Sequence, residues 1–257
     1  MNLLLNLKIF WNRWILLLVN PYNILRSIKL YQQYLSDWYN YSRLPSAEIL
    51  HFADSYPCIN DRTTITPFDA HYFYQGVWAF RKIKESGVKS HIDVGSEIRW
   101  VGLLSTITKV TFIDIRPFET DLKDLIVKKG DILNMPFEDK SVDSLSCLHV
   151  AEHIGLGRYG DSLDPEGTKK ATHEFARVLA PQGNLYFSVP VGKPRVCFNA
   201  HRIHSPQQIL DYFHDLKLLQ FSGISDSGTF RQDIDPGDLA NSNYACGLFH
   251  FTKKHES

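Results

Sequence analysis

A run of short apolar segments, separated by helical patterns, constrains this chain more than any other feature. HIDVG (91–95), VTFIDI (110–115), a weaker run over 128–132, SVDSLSCLH (141–149) and NLYFSVPV (184–191) each have strand length and strand composition. Helical spacing fills 98–108 and 168–179 between them. KLLQFSGI and YACGLFHFT follow and read as a closing antiparallel pair. Strands alternating with helices predict a Rossmann-like α/β fold: a doubly wound, mostly parallel, seven-stranded sheet with its core over about 88–257. A helix over 71–85 stopped by Gly87 precedes the first strand, and Ser205, Pro206 and Gln208 open a later helix with a capping box.

In such sheets ligands gather beyond the carboxyl ends of the strands. Those ends carry Asp93, Gly95 and Ser96, then Asp114, then Asp131 and Ile132, then Leu148 and His149. A glycine after the first strand lets backbone approach a ligand, an acid after the second can accept ribose hydroxyls, and a polar group after the third can meet a purine edge. Acids also end strands and cap helices for purely structural reasons. Dinucleotide use is disfavoured because Gly95 is followed by Ser96, Glu97, Ile98, Arg99 and Trp100, with no GxGxxG.

GDILNMPFEDKSVDSLSCLHVAEHI and HEFARVLAPQGNLYFSVPV resemble the middle and later motifs of class I S-adenosylmethionine-dependent methyltransferases. YPCIND, FDAHYFYQGVWAFR, CLHVAEHIGLGRYGD and VPVGKPRVCFNAHRIHS resemble more closely the domain of unknown function numbered 268, itself regarded as methyltransferase-like, over about 55–252. The resemblance implies S-adenosylmethionine as cofactor, with Asp93, Gly95, Ser96, Asp114, Asp131, Ile132, Leu148 and His149 around it. It departs from the class I pattern at Glu97, where those enzymes carry a glycine; this side chain either obstructs the methionine moiety or binds it.

On this reading Glu152 and His153 face the acceptor, and Glu152, His153 and His201 are the acid/base candidates, histidine titrating near neutrality. Arg158, Tyr159 and Arg202 form a substrate rim suited to a carboxylate, phosphate or sugar, so the expected acceptor is a small molecule or glycan. His71 and Tyr72 either cover the cofactor as a lid or pack. HVAEH also matches the inverted zinc-protease signature, but Gly155 and Gly157 fray the helix that such a site requires, and no metal is expected from the spacing. The two competing functions are a binding or assembly module that has lost catalysis and, behind it, a hydrolase using His149 and His153 to hold a metal.

Lysine plus arginine equals aspartate plus glutamate, 28 each in 257 residues, so no overall field favours nucleic acid. Cys58, Cys147, Cys197 and Cys246 show no paired spacing, which fits a reducing, cytoplasmic setting. Residues 1–45 form a helical extension to a domain over 46–257. Within it Leu3, Leu4, Leu7, Phe10, Trp11, Trp14, Ile15 and Leu18 make one apolar stripe. Its longest apolar run, 14–19, is far short of the ~20 residues of a membrane span. Internal charge and the lack of a small-residue cleavage site argue against a signal peptide. The stripe therefore docks on protein, its own domain or a second copy, or lies in a membrane interface.

Overall fold

The computed structural model describes residues 24–254; the apolar stripe over 3–18 lies outside them. Among the described residues no helix is long and apolar enough to cross a membrane. The chain divides into two compact units between Pro67 and Phe68. The reason is local: α1 (Ile24–Tyr41) is followed by a turn-rich stretch that bonds back to it. Tyr41 donates to Glu48, and Arg62 lies 3.6 Å from Asp37.

The second unit holds the sheet. Its strands are β1 (Ser90–Val94), β2 (Lys109–Asp114), β3 (Leu125–Lys129), β4 (Val142–Leu148), β5 (Leu179–Val191), β6 (Arg195–Cys197), β7 (His201–Ile203), β8 (Leu216–Ile224), β9 (Phe230–Arg231) and β10 (Ala245–Lys253). The main sheet has the order β3-β2-β1-β4-β5-β10-β8-β9, with β6 and β7 paired apart. β3 through β5 run parallel, and β10 is antiparallel to both β5 and β8. The seven expected strands are all present, and the two-residue β9 adds an eighth. β3 lies three residues earlier than the apolar run suggested. β5 takes in APQG (180–183) near its start, where the register against β4 shifts.

Helices α2 (Ala70–Ser86), α3 (Ile98–Leu104), α4 (Gly167–Val178) and α5 (Pro206–Tyr212) cover the two faces. Alternation along β10 shows which side is which. Ala245, Phe249 and Phe251 join Phe175 of α4 and Ile209 of α5 in one core, while Cys246 and Leu248 join Trp78 and Ile83 of α2 and Leu104 of α3 in the other. α2 starts where the Asp69 carboxylate accepts from Tyr72 N–H and stops at Gly87, whose φ of +65° suits glycine. The capping box at Ser205 and Gln208 opens α5 as its sequence predicts. No helix joins β2 to β3, so β3 is a bare edge, with Ile126, Lys128 and Lys129 exposed.

A buried polar chain crosses the parallel strands. His91 lies 2.7 Å from the Ser144 hydroxyl and 2.8 Å from that of Ser146, which donates in turn to Asp93. Burial pushes His91 down from 6.5 to about 3 and Asp93 up from 3.8 to about 7. His91 therefore withdraws stability as pH falls from 6.5 toward 3, since the unfolded chain binds the proton first. Asp93 adds stability as pH falls from about 7 toward 3.8, since the folded chain binds first. Between 3.8 and 6.5 the two slopes oppose. Urea titrations across this window should show His91→Asn gaining on the wild type as pH drops; parallel curves would refute the linkage.

Candidate functional site

The tips of β1, β2 and β3 converge on one cleft. Gly95, Asp114, Gly130 and Ile132 line it, with Val94, Ile113, Ile115 and Arg116 beside them and Val150, Ile154 and Tyr159 opposite. Gly95 turns at φ +69°, and a Cβ there would meet Val150 Cγ1 at 2.9 Å and Asp114 Oδ2 at 3.8 Å. One Asp114 oxygen accepts from Arg116 N–H at 2.7 Å, and the other lies on the Gly95 side. The Arg116 guanidinium stands 4.3 Å over the Tyr159 ring at the cleft wall. The cavity measures about 90 Å³, below the few hundred Å³ typical of a small-molecule pocket.

Several residues expected around the cofactor lie elsewhere. Asp93 is fully buried and accepts from Ser96 N–H at 3.1 Å and Ser96 Oγ at 2.8 Å. Ser96 Oγ also accepts from Leu148 N–H. These three side chains and amides lock the β1 turn to β4 and do not line the cleft. Asp131 is exposed and caps its own turn by accepting from Leu133 N–H at 2.8 Å. Glu97 is not among the residues lining the cleft: it is the N-cap of α3, accepting from Trp100 N–H and pairing with Arg99 at 2.7 Å. An acid in this position satisfies an orphan helix donor.

His149 turns inward beyond β4, at a positive φ of 56°. Its Nδ1 lies 2.9 Å from Glu152 Oε1, and its Nε2 lies 3.3 Å from Cys246 Sγ. Both His149 and Glu152 are buried. Burial opposes charge on each, yet their mutual attraction prevails. Cys246 and Glu152 raise His149 to about 10, and His149 holds Glu152 below the usual carboxylate range. The two groups are close enough for an ion pair, although among the described residues the angles fall short of a well-aligned hydrogen bond. His153 Nδ1 donates to the Ala200 carbonyl at 2.6 Å, and its Nε2 stands 3.7 Å from Glu152. Residues Ala151–His153 form a single 3-10 turn, so HVAEH has no helical face on which its two histidines could share a metal.

An aromatic group sits over this pair. His71 stacks on Tyr244 at 5.1 Å and lies 5.4 Å from His149; Tyr72 is 5.5 Å from His149, and His201 is 5.1 Å from Tyr244. Burial and the His149 charge push His71 down to about 4, and burial also lowers His201. Tyr244 and Cys246 were not singled out from sequence for this site. His71, His149 and Cys246 are 78 and 97 positions apart, and only the fold joins them.

The expected substrate rim divides. Tyr159 faces the cleft, and Arg158 is exposed, donating to the Ala200 carbonyl at 3.0 Å. Arg202 is no clamp: it is buried and donates to the carbonyls of Ile154 and Asp164. With Asp161, which accepts from the amides of Gly155 and Tyr159, it ties down loop 154–164.

The comparisons with known proteins agree with the order of the strands. The family described as "Caenorhabditis protein of unknown function, DUF268" matches residues 121–236, which include the two later signatures but not those over 55–81. Of solved structures, the N-methyltransferase NodS from Bradyrhizobium japonicum WM9 in complex with S-adenosyl-L-homocysteine has a TM-score of 0.52 at 13% identity, covering 77% of this chain and 92% of that one. A second structure of the same enzyme gives 0.51 at 15%, covering 73% and 98%. The [4+2]-cyclase SpnF gives 0.50 at 15%, covering 70% and 81%. No curated protein matches in sequence. At such identities the likeness is one of fold, and the cyclase among these structures illustrates that this fold does not fix one reaction. Residues 121–236 thus resemble the DUF268 family, and the sheet order is that of the methyltransferase-like fold seen in the solved structures compared.

Proposed function

We propose that this protein transfers a methyl group from S-adenosylmethionine to a small or glycan-linked acceptor. The observation that supports this most is the meeting of the Gly95 turn and the Asp114 carboxylate in one cleft at the tips of β1 and β2. Gly95, Asp114, Gly130 and Ile132 would hold the cofactor, which supplies a methyl group activated on a sulfonium. The fold shared with an N-methyltransferase that binds S-adenosylhomocysteine adds support. A cavity of about 90 Å³ requires the stacked Arg116 and Tyr159 to swing outward on binding.

The protein's own task is then to orient the acceptor and take its proton. His201 suits the role of base: it is half-buried, held neutral by burial, and lies beside Tyr244. Glu152 charges and orients His149 rather than touching solvent, and His153 is the second candidate base. The proposal includes a cytoplasmic location, in keeping with four free cysteines among the described residues. The segment over 1–23 would supply any membrane or homo-oligomer contact.

Calorimetry with S-adenosylhomocysteine tests this reading. Wild-type protein should bind, and Asp114→Ala should weaken binding roughly ten- to hundredfold, the worth of a hydrogen bond to a charged group. No binding at high micromolar concentration would sink the proposal. It would favour the second reading, a binding or assembly module without catalysis, which the small cavity and the capping role of Glu97 already suit.

A further inference from the structure

Three side chains from separate elements bring ligand-type atoms together beneath the aromatic rim. His71 comes from the first turn of α2, His149 from the end of β4, and Cys246 from β10, and their ligand atoms all lie within 4.8 Å of one another. Tetrahedral zinc bonds at about 2.0–2.3 Å place neighbouring ligand atoms in this range, and the 3.3 Å between His149 Nε2 and Cys246 Sγ fits directly. A thiolate with two imidazoles is a borderline-soft set that selects zinc over the oxygen-seeking magnesium and calcium.

The surroundings are those of a ligand site as well. Metal-binding histidines commonly give their second nitrogen to a carboxylate, which fixes ring and tautomer. Glu152 stands in that relation to His149, at 2.9 Å on Nδ1, so that Nε2 is the atom turned to Cys246. Glu152 is fully buried, and the groups facing its Oε1 are His149 Nδ1 at 2.9 Å and His153 Nε2 at 3.7 Å. Strain points the same way, because a non-glycine residue at positive φ, as His149 is, persists where its surroundings hold it.

We propose that His71, His149 and Cys246 form a zinc site, with Glu152 as the carboxylate behind His149. Charge balances: one thiolate and one carboxylate neutralise a divalent ion. Loading releases the thiol proton of Cys246 and the Nε2 proton of His149 to solvent, while the Nδ1 proton stays directed at Glu152. Three protein ligands leave a fourth position for water or for an oxygen or sulfur of a substrate. The site stands apart from the methyl-transfer reading, because metal content and cofactor binding are measured separately and either can fail alone.

The test uses full-length protein purified anaerobically and carrying Cys58→Ser and Cys197→Ser, which removes the two less buried thiols. After zinc loading and dialysis, elemental analysis should find about one zinc per chain. Cobalt(II) loading should give a thiolate-to-metal charge-transfer band with intense tetrahedral visible bands. Adding Cys246→Ser should abolish the charge-transfer band, and Glu152→Gln should weaken zinc roughly tenfold or more. Substoichiometric zinc in the parent protein, or cobalt spectra without a thiolate band, would overturn the proposal without any change at the site itself. So would full zinc retention in a His71→Ala, Cys246→Ser double variant.

Discussion

Chelator-treated protein carrying Glu152→Ala is expected to lose about 3–5 kcal/mol of stability, read as a lower urea midpoint. The wild type buries His149 and Glu152 as opposite charges 2.9 Å apart, and removing one leaves the other without a counter-ion. The imidazole can shed its proton, which keeps the loss toward the lower end of the range. Removing both charges tests the cause: His149→Phe with Glu152→Leu should recover much of the loss, because apolar replacement of a whole buried pair is often near neutral. A loss under about 1 kcal/mol in the single variant would mean that the pair is not desolvated as described.

Gly155→Ala should be nearly as damaging. Gly155 has a φ of +80°, and an added Cβ would fall 2.1 Å from the Asp164 carbonyl oxygen, an atom that no side-chain motion can move away. Left-handed strain alone costs about 1–2 kcal/mol, and relieving the clash pulls loop 154–164 off Arg202. We expect about 3 kcal/mol or more in urea denaturation. Gly160→Ala is the internal control: its φ is +86°, but nothing lies within 4 Å of the added carbon, so only the strain should appear. Equal losses in the two variants would refute the packing argument. The loop also carries Ile154 and Tyr159 of the cleft, so Gly155→Ala should lower S-adenosylhomocysteine affinity where Gly160→Ala does not.

What the sequence disclosed depended on how local the cause was. The capping box at Ser205 and the glycine stop at Gly87 are set by neighbours within a few positions, and both appear as read. The strands followed from apolar runs, with one shift: β3 is LIVKK, which pairs with β2 in register, and the glycine and acid of 130–131 that the sequence reading included fall after it as a turn. The acids at the strand tips could be located but not oriented. Asp93 and Asp114 occupy equivalent places in sequence, yet Ser96 and Ser146 draw one inward and Arg116 N–H holds the other at the cleft. Arg202 looked like a clamp because a buried arginine spent on two backbone carbonyls leaves no pattern in the chain. Cys246 and Tyr244 were invisible for a different reason. Their importance comes from β10 being inserted next to β5, which places them over His149 across almost a hundred residues.

The bare edge at β3 has a consequence for growth of the sheet. A neighbouring chain could add a strand only by stripping water from Lys128 and Lys129, whose ammonium groups tolerate little dehydration. At the opposite margin β9 pairs with Gly223 and Ile224 of β8, and Ile234 N–H bonds the Phe221 carbonyl, so the following loop closes that end of the β8 edge. The ribbon of strands is thereby self-limiting at its β3 margin, a safeguard against fibrillar stacking that costs the protein no additional helix.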